Sequence, residues 1–382
     1  MSRPADLPAP VDLAVVGAGI VGLGVALEAV RRGLRVVVVE RDPRPLGASV
    51  RNFGHGCLSA QTGLAREYAE LARSRWLELR DEAGLWVQET GTVVVARSAL
   101  ELAVLTEFAA GSADAELLDP AGVLELAPVG EDGLVGGAHL RRDLRIDPRA
   151  AVPALAAYLV TCGVQFRWST TALGVETGLL RTSRGDVRAD GIVLALGHDL
   201  DHLLPAPAEA VGLRRCTLHM LRVASPQDRT IRPAVLSGTS LLRYSGFVGC
   251  PSSAALRTEL EAREPELIAA GVNLMLTQHP SGDLLIGDTH SYEDAPSPFA
   301  AEELDALLLT QAGRLLGVGE LVVRERWRGT YAWAPDREFL LTTPTPGVRT
   351  VAVTSGIGMT CGLGVAPRVL DELFHDLTLT TT

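Results

Sequence analysis

Short apolar runs alternate with helical patterns from the start of this 382-residue chain. The apolar run Val11–Val16 precedes a glycine-rich turn, residues 23–32 carry small and apolar side chains at helical spacing, and residues 35–39 form a second, β-branched run. A strand needs alternating or continuous apolar positions, whereas a helix repeats them every three to four residues. The pattern therefore predicts a strand, a glycine turn, a helix and a second strand in a parallel arrangement.

The same patterns continue to the end of the chain and indicate an α/β fold that is α+β overall. Further strands are predicted at residues 86–96 (a pair around Gly91), 190–197, 214–223, 241–249, 272–278, 283–287 and 349–354. Further helices are predicted at residues 64–82, 149–162, 254–269, 301–316 and 363–374. The length is typical of two domains.

Composition removes several classes of function. All 35 basic residues are arginine, and they face 46 acidic residues for a net charge of −11. A pyridoxal phosphate Schiff base and a P-loop both require lysine, so neither is possible here. A net acidic chain without a basic stripe also argues against a nucleic acid partner. Arginine still binds carboxylate or phosphate at two points, so anion recognition stays open.

Cysteine usage and the apolar runs predict a cytoplasmic protein. The five cysteines are Cys57, Cys162, Cys216, Cys250 and Cys361. They are widely spaced and form no C-x-x-C pair, so we expect free thiols, no disulfide framework and no metal site. The stretch 1–10 lacks the pattern of a signal peptide. No apolar run approaches about 18 residues without a charge, which argues against a membrane span.

The first glycine turn has the chemistry of a dinucleotide site. It reads Gly17-Ala18-Gly19-Ile20-Val21-Gly22, and Glu40 ends the second strand. In such turns the first glycine allows the tight bend, the second admits a pyrophosphate, and the third lets the helix pack against the strand. A carboxylate in the place of Glu40 accepts hydrogen bonds from a ribose diol and repels a 2′-phosphate, which disfavours NADP.

Two distant segments repeat the pattern of a buried strand that ends in glycine. They are Leu194-Ala195-Leu196-Gly197 and Val353-Thr354-Ser355-Gly356-Ile357-Gly358. Parallel sheets bind ligands at the carboxyl ends of their strands, where small residues admit the ligand. The start, middle and end of the chain are therefore predicted to form one nucleotide-binding domain.

This combination resembles the FAD-dependent amine oxidoreductases of the D-amino-acid oxidase, glycine oxidase and sarcosine oxidase superfamily over nearly the whole chain. The resemblance implies a Rossmann-like FAD-binding domain built from residues 8–85, 146–212 and 325–382. It also implies a substrate-binding domain with a mixed or antiparallel sheet, built from residues 86–145 and 213–324. In relatives that tether the flavin, a cysteine stands at about the position of Gly329, so noncovalent FAD is expected.

The resemblance implies the cofactor contacts residue by residue. The glycine turn with Glu40 and Arg41 resembles the ADP site, and the run Gly47 to Gly54 resembles the segment that passes the flavin. Gly356 to Thr360, with a following helix, resembles the element at the pyrimidine side of the flavin. The implied cofactor-binding residues are Gly17, Gly19, Ile20, Val21, Gly22, Glu40, Arg41, Ala48, Ser49, Asn52, Gly54, Gly197, Asp336, Gly356, Gly358, Met359 and Thr360.

Within the superfamily, the chain looks most like a bacterial subgroup that is associated with organophosphonate breakdown in the segments Ala48–Gly54, Gly287–His290 and Gly356–Thr360 and at Gln278. This resemblance implies an aminophosphonate, an N-methyl aminophosphonate or an amino acid as the substrate. The chain departs from that subgroup at residues 55–61, which are expected to line the cavity. It also lacks familiar features of other members: Tyr331 stands where glycine oxidase-like enzymes carry a substrate arginine, and Cys57 stands near a second such position. Sarcosine oxidase-like enzymes activate oxygen with a lysine, and the corresponding position in this chain is near Leu285.

The implied reaction moves a hydride from the carbon next to nitrogen of a small anionic amine to FAD, giving an imine that water hydrolyses. Oxygen or another electron acceptor would take the electrons. Candidate catalytic residues are His55, His290 and Tyr331, and candidate substrate-binding residues are Arg51, Gln278, Arg243, Arg328 and Met359, with Arg337 a further possible cation. Two alternatives stay open: a 2-hydroxy-acid or opine dehydrogenase on the same scaffold, and a nucleotide-binding protein without turnover.

Overall fold

The computed structural model describes residues 11–380, with side chains described through residue 377. The N-terminal stretch 1–10, on which the absence of a signal peptide was predicted, lies outside the described residues, as do residues 381–382. Within the described part, no helix is both long enough and apolar enough to cross a bilayer.

The described residues form strands in three sheets. They are β1 (Val11–Val16), β2 (Val36–Val39), β3 (His55–Gly56), β4 (Val87–Gln88), β5 (Thr92–Ala96), β6 (Ala115–Leu118), β7 (Gly136–Leu140), β8 (Leu144–Ile146), β9 (Gln165–Arg167), β10 (Ala172–Glu176), β11 (Leu179–Thr182), β12 (Val187–Leu194), β13 (Arg214–Val223), β14 (Ala234–Leu236), β15 (Met275–Gln278), β16 (Leu284–Gly287), β17 (Ser291–Glu293), β18 (Val323–Trp333), β19 (Phe339–Thr345) and β20 (Val348–Val353).

Helices connect and cover the sheets. They are α1 (Ile20–Arg31), α2 (Gly63–Ala83), α3 (Ala99–Gly111), α4 (Pro120–Leu126), α5 (Pro148–Thr161), α6 (Leu200–Leu203), α7 (Pro205–Ala210), α8 (Ser245–Val248), α9 (Ser253–Arg263), α10 (Pro265–Ala269), α11 (Glu302–Leu316), α12 (Gly358–Cys361) and α13 (Ala366–Thr380). Short 3₁₀ turns lie at Ala48–Val50, Gly197–Asp199, Pro226–Asp228 and Gly238–Leu242.

The first sheet is the predicted parallel sheet. β9, β2, β1, β12 and β20 run parallel in that order, β19 adds an antiparallel edge, and the β10–β11 hairpin extends from the start of β12. All four valines of β2 are buried, as expected for a strand covered on both faces. Helices α1, α5 and α13 pack over one face. This sheet joins the start, middle and end of the chain, as the sequence predicts.

The second sheet has nine strands and is mostly antiparallel, with one parallel pair between β5 and β14. Its order is β6, β7, β5, β14, β15, β16 and β13, and β13 also pairs with β17 and β18. The predicted α/β class with a mixed second sheet is thereby confirmed. The predicted domain boundary at residue 325 is wrong, because β18 pairs with β13 along nearly its whole length and so belongs to this second sheet.

Two predicted strands have different structures. The strands around Gly91 do not pair with each other, since β4 joins β8 in a small third sheet with β3 whereas β5 enters the second sheet. Residues 241–249 are not a strand: they form a 3₁₀ turn and α8. Leu241 in the 3₁₀ turn and Phe247 in α8 are both fully buried, so the apolar residues of this segment pack into the core without forming a strand.

The closing helix begins three residues later than predicted at residues 363–374, and it continues further, as α13 spans Ala366–Thr380. A single turn, α12, ends at Cys361, and α13 begins only at Ala366. Gly364 lies between them, and a Cβ atom built on it would be 1.9 Å from the carbonyl oxygen of Tyr68. The chain therefore passes close to α2 at a position where only glycine fits, between α12 and α13.

Candidate active site

A cavity of about 740 Å³ lies between the first and second sheets. One wall is formed by the carboxyl ends of β1, β2 and β12, and the other by β18 and the segment after β16. Much of this wall is bare backbone, because it is lined by glycines, namely Gly17, Gly19, Gly47, Gly197, Gly271, Gly329, Gly356 and Gly358. The carboxyl ends of parallel strands therefore meet an open space of ligand size, as expected for such sheets.

The first glycine turn is held by close backbone packing. Gly17 has φ of +106°, and a Cβ atom on it would lie 2.3 Å from the carbonyl oxygen of Ala195. A Cβ atom on Gly22 would lie 2.0 Å from the carbonyl oxygen of Gly17. Gly22 does not line the cavity, so its role is to let α1 approach β1, and the turn itself faces the open space.

The first turn of α1 meets the cavity together with Ser49. The N–H of Ile20 donates to the Ser49 hydroxyl oxygen at 2.9 Å. Gly19, Ile20 and Val21 line the cavity, and α1 is twelve residues long. Because the first N–H groups of a helix lack partners within it and carry partial positive charge, this end of α1 suits a phosphate group.

Glu40 stands at the end of β2, where the sequence places a ribose acceptor. Its carboxylate accepts the N–H of Ala18 at 2.8 Å and the N–H of Asp42 at 3.0 Å, so both oxygens are held towards the glycine turn. Each carboxylate oxygen keeps a further lone pair that could accept from a diol. Arg41 also lines the cavity and pairs with Asp199 at 2.7 Å.

The segment after β2 is folded by Asn52. Its amide nitrogen donates to the carbonyl oxygens of Ala48 and Ser49 at 3.0 Å each, and its oxygen accepts the N–H of Gly54 at 2.7 Å. Ala48, Ser49 and Asn52 line the cavity, but the Asn52 amide braces this loop. Gly54 has φ of +68° and does not line the cavity. A Cβ atom built on it would collide with the Ile146 carbonyl, so Gly54 is a packing residue rather than the predicted cofactor contact.

The predicted third segment also reaches the cavity. Gly356 has φ of +81° and packs against the Tyr331 ring. A Cβ atom built on Gly356 would lie 2.9 Å from the Cζ atom of Tyr331. Met359 and Thr360 line the wall, and the Thr360 hydroxyl oxygen accepts the N–H of Cys57 at 3.1 Å. The predicted helix N-terminus here is only the single turn α12. Asp336 is wrong as a cofactor contact, since it is exposed in the turn after β18 and away from the cavity wall.

These groups fit a flavin dinucleotide. The glycine wall, the α1 terminus and Glu40 provide a pyrophosphate and ribose site, and the cavity continues from there to the second sheet. Gly197 lies between these regions, with φ of +59° and no atom within 4 Å of a Cβ atom built on it. An extended ligand can therefore touch all three parts of the chain.

Arg243 is a half-buried cation of the cavity wall. Its guanidinium donates to the hydroxyl oxygen of Tyr331 at 2.7 Å and to that of Tyr292 at 3.3 Å. Among the described residues, no carboxylate oxygen comes within 4 Å of this guanidinium. An arginine remains charged at any working pH, so Arg243 presents a positive charge and free N–H groups to the cavity, with the Asp288 carboxyl group as a nearby acid beyond ion-pair distance.

The other cationic and polar candidates are placed differently. Arg51 is exposed at the cavity wall and donates to the carbonyl oxygen of Arg328 at 3.4 Å. Arg328 itself lies off the wall and donates to the Phe299 carbonyl oxygen at 2.7 Å. Gln278 is also off the wall, because its amide is engaged by Ile231, Arg229 and Gly282 at 2.7–2.8 Å. Arg337 is exposed and away from the cavity.

His55 faces the cavity from β3 with a hydrogen-bonded chain behind it. Its Nε2 lies 2.7 Å from the Thr92 hydroxyl oxygen, and that hydroxyl donates to Asp143 at 2.7 Å. Because the one hydroxyl proton goes to Asp143, His55 must donate from Nε2. Its Nδ1 has no partner among the described residues. Burial alone would raise the pKa of Asp143, but hydrogen bonds from its neighbours hold this pKa below its ordinary value.

His290 and Asp288 occupy the wall beside Arg243. The His290 Nδ1 lies 2.8 Å from the Gly271 carbonyl oxygen, and Nε2 lies 3.7 Å from an Asp288 carboxyl oxygen. Burial lowers the pKa of His290 well below its ordinary value, so the ring is neutral. Burial raises the pKa of Asp288 to about 7. The aromatic rings of Tyr292 and Tyr331 lie 6.3 and 6.4 Å from the His290 ring and complete this corner.

Three site residues were not identified in the sequence: Asp143, Asp288 and Tyr292. Asp288 and Tyr292 have a signal that could have found them, since they alternate with His290 directly after the buried strand β16. Polar residues placed there are typical of a strand that ends at a binding site. Asp143 has no such signal, because it reaches His55 only through the pairing of β3 with β8.

Comparison with known proteins gives a consistent result. The family model of DAO, FAD dependent oxidoreductase, matches residues 12–371. The bifunctional protein ThiO/ThiG of Nostoc sp. is 27% identical over 248 residues, covering 60% of this chain and 37% of that protein. A D-amino acid dehydrogenase of Cereibacter sphaeroides is 28% identical over 269 residues, covering 53% of this chain and 61% of that protein.

The chain thus spans less than two thirds of the length of either curated relative. Among solved structures, glycine oxidase from Bacillus cereus has a TM-score of 0.77 and covers 96% of this chain and 95% of its own. At 17% identity, that likeness concerns the fold.

Proposed function

Because the chain belongs to the DAO family of FAD-dependent oxidoreductases, we propose that it oxidises a small anionic amine at the carbon next to nitrogen. One observation supports this choice above the others: Arg243 offers a positive charge without a carboxylate partner within 4 Å, at the wall of the cavity that fits FAD. A buried charge is costly when it is unpaired, so the ligand of this cavity is expected to bring the missing anion.

FAD would supply a two-electron acceptor for the hydride that leaves the substrate carbon. Residues of the chain would hold it at the glycine turn, at Glu40, along residues 48–52 and along residues 356–360, all of which reach the cavity wall. The predicted residues Gly54, Gly22 and Asp336 are not part of this proposal. Noncovalent attachment is expected, since Gly329 replaces the tethering cysteine.

The chain's own residues would orient the substrate. Arg243 can form two parallel hydrogen bonds with a carboxylate or phosphonate, and Tyr292 and Tyr331 fix the guanidinium by accepting two of its N–H groups. A substrate fixed at its anionic end presents its carbon–hydrogen bond in a limited range of directions, which favours hydride transfer. The imine product then reacts with water to give an aldehyde or keto product.

Aminophosphonates, including N-methylated ones, are the finer substrate proposal. The segments that resemble the organophosphonate subgroup contribute Ala48, Ser49, Asp288 and His290 to the wall. The segment that departs from that subgroup also reaches the wall, through His55, Cys57 and Gln61. Amino acids with a carboxylate therefore stay within the proposed class.

The purified protein is expected to be yellow, and a small anionic amine should bleach it when oxygen is excluded, because substrate electrons then stay on the flavin. The measurement is flavin absorbance with a panel of amino acids, aminoethylphosphonate and its N-methyl form, beside 2-hydroxy acids and uncharged amines. Peroxide is measured after oxygen is admitted. Bleaching by 2-hydroxy acids alone would contradict the amine proposal, and a protein that takes up no FAD would contradict the function altogether.

Exchanging Glu40 for glutamine should weaken FAD binding about 10- to 100-fold, the effect of losing a hydrogen bond to a charged group. The amide nitrogen would place a donor against the N–H of Ala18 or Asp42, which the carboxylate now accepts. Quenching of flavin fluorescence on titration of the apoprotein measures the affinity. Glu176→Gln removes the same charge from an exposed pair with Arg181 and is the control. Equal affinities of the two variants would refute a role of Glu40 in the site.

A further inference from the structure

Asp288 and His290 form a buried acidic corner in the same cavity as Arg243. Their side chains retain 8% and 3% exposure, and both line the wall. One Asp288 carboxyl oxygen has no hydrogen-bond partner within 3.5 Å among the described residues, although the nearby Asn273 amide lowers the pKa of this carboxyl group. A buried carboxyl oxygen without a partner is uncommon and calls for a donor that is brought by a ligand or by water.

The two side chains present acceptors to each other. The Gly271 carbonyl can only accept, so the His290 Nδ1 carries the ring proton and Nε2 carries a lone pair. That lone pair lies 3.7 Å from an Asp288 carboxyl oxygen, too far for a hydrogen bond. Two facing acceptors suit a group with several N–H donors, and an ammonium group has that character.

Around Asp288, the nearby charge is that of Arg243. The titratable groups that surround this corner come from four elements: Arg243 and Tyr244 after the turn Gly238–Leu242, Cys216 of β13, His290 and Tyr292 after β16, and Tyr331 of β18. Burial raises the pKa of Cys216 and of the three tyrosines, so these groups are neutral near pH 7. The cavity therefore has a cationic position at Arg243 and an ionisable acid at Asp288.

We propose that Asp288 receives the amino group of the substrate while Arg243 holds its anionic group, so that the cavity selects zwitterions over hydroxy analogues. This inference rests on the proposed function, because it assumes that the anion lies at Arg243. His290 is a positioning residue here: its lone pair and the carboxyl oxygen are close enough together for one donor group beside them to bond to both.

The same contact would prepare the amine for oxidation. An N–H bond of the ammonium group breaks, an O–H bond forms on the Asp288 carboxylate, and nitrogen keeps the electron pair. A neutral amine can then release a hydride from the adjacent carbon, whereas an ammonium group cannot. Burial brings the pKa of Asp288 to about 7, closer to that of an amine than an ordinary carboxyl group would be, which favours this proton transfer.

Calorimetric titration of the FAD-loaded protein tests the proposal with ligands that cannot lose a hydride. One pair is 2-aminoisobutyrate and 2-hydroxyisobutyrate, and the other is 2-amino-2-methylpropylphosphonate and its 2-hydroxy twin. In each ligand, the carbon that bears nitrogen or oxygen carries no hydrogen. In whichever pair binds, the amine at pH 8 should bind about 10- to 100-fold more tightly than its hydroxy twin, as expected for hydrogen bonds to a charged group.

Titration in buffers of different ionisation enthalpy counts the protons that binding releases. Near pH 6 Asp288 is mainly protonated, so a bound ammonium group should drive out close to one proton per site. Near pH 8 the carboxyl group is already ionised, so the release should approach zero. The hydroxy twin of the carboxylate pair should release none at either pH, and the phosphonate pair is compared by the difference between its two members, since a phosphonate also titrates near pH 6. Equal affinities of the twins, or no proton release with the amine at pH 6, would overturn the proposal.

Asp288→Asn should abolish both the amine preference and the proton release, while the hydroxy ligand binds within about threefold of wild type and the flavin spectrum is unchanged. A variant that keeps the preference would contradict a contact with Asp288. If Asp288→Asn does not fold, the affinities of the two twin ligands for the wild-type protein and the proton counts decide the question. Failure of the proposed function gives different results from failure of the Asp288 contact. In that case the wild-type protein would bind neither twin, or Arg243→Met would leave the affinity for both twins unchanged.

Discussion

Arg243→Met is expected to lower kcat/KM for small anionic amines by about 100- to 1,000-fold, because truncating one partner of a buried, hydrogen-bonded charge pair costs about 2–5 kcal/mol. The methionine fills much of the same volume but leaves the substrate anion without a partner in the cavity. The hydroxyl groups of Tyr292 and Tyr331, which now accept from Arg243, cannot replace the charge. Steady-state kinetics with the best substrate of the bleaching panel measures the effect.

Arg328→Met is the matched control for this prediction. Arg328 belongs to β18, the strand that also carries Tyr331, but its guanidinium donates to the Phe299 carbonyl and not into the cavity. Its replacement should therefore leave kcat/KM within about threefold of wild type, and both variants should keep their FAD. Should the two variants lose activity equally, the anion is not held at Arg243. An uncharged amine that reacts with wild type should be insensitive to Arg243→Met.

Gly22→Ala is expected to yield a protein that retains no FAD and unfolds at a clearly lower temperature. A Cβ atom on Gly22 would lie 2.0 Å from the carbonyl oxygen of Gly17, and both atoms belong to backbone that is fixed between β1 and α1. Overpacking of this kind costs about 3 kcal/mol or more when neither side can move. Relief requires α1 to move away from β1, which would disrupt the turn that faces the cavity.

The absorbance ratio of flavin to protein and the melting temperature measure the effect of Gly22→Ala. Gly111→Ala serves as control, since Gly111 also lies in a helix but no atom comes within 4 Å of a Cβ atom built on it. That control should stay yellow and melt close to wild type. A yellow Gly22→Ala protein with an unchanged melting temperature would show that α1 does not need this close approach.

Local sequence patterns predict much of the fold. β1, α1 and β2 are predictable because each buries its side chains in a period that the sequence shows directly, and β13 matches its predicted range of Arg214–Val223. The errors occur where a distant partner decides. The closing helix begins only at Ala366, after Gly364 passes close to the carbonyl of Tyr68, and β18 enters the second sheet because it pairs with β13.

The candidate site divides in the same way. The glycine turn with Glu40 could be predicted because its chemistry lies within thirty residues of sequence. The choice among the arginines could not, since it depends on which strand face meets the cavity. Gln278 illustrates the limit: its amide binds three backbone groups of neighbouring loops, and nothing within its own strand indicates them.

The absence of lysine gains a specific meaning in the structure. The position that resembles the oxygen-activating lysine falls at Leu285, which is buried in the core of the second sheet. His290 is neutral because burial lowers its pKa, so it cannot provide the positive charge in that lysine's place. His55, Arg51 and Arg243 remain on the described cavity wall as candidates for that charge, and Arg243 would have to supply it while it also holds the substrate.

The assembly of the first sheet from both ends of the chain also sets the order of events during biosynthesis. The glycine turn after β1 leaves the ribosome about 340 residues before Gly356 and Gly358, which follow β20. At about 5–20 residues per second, roughly 20–70 seconds separate the two. The nascent chain must therefore fold its early strands without flavin, and a chain terminated before β20 should be colourless. Yellow colour thus reports that translation has passed the last strand.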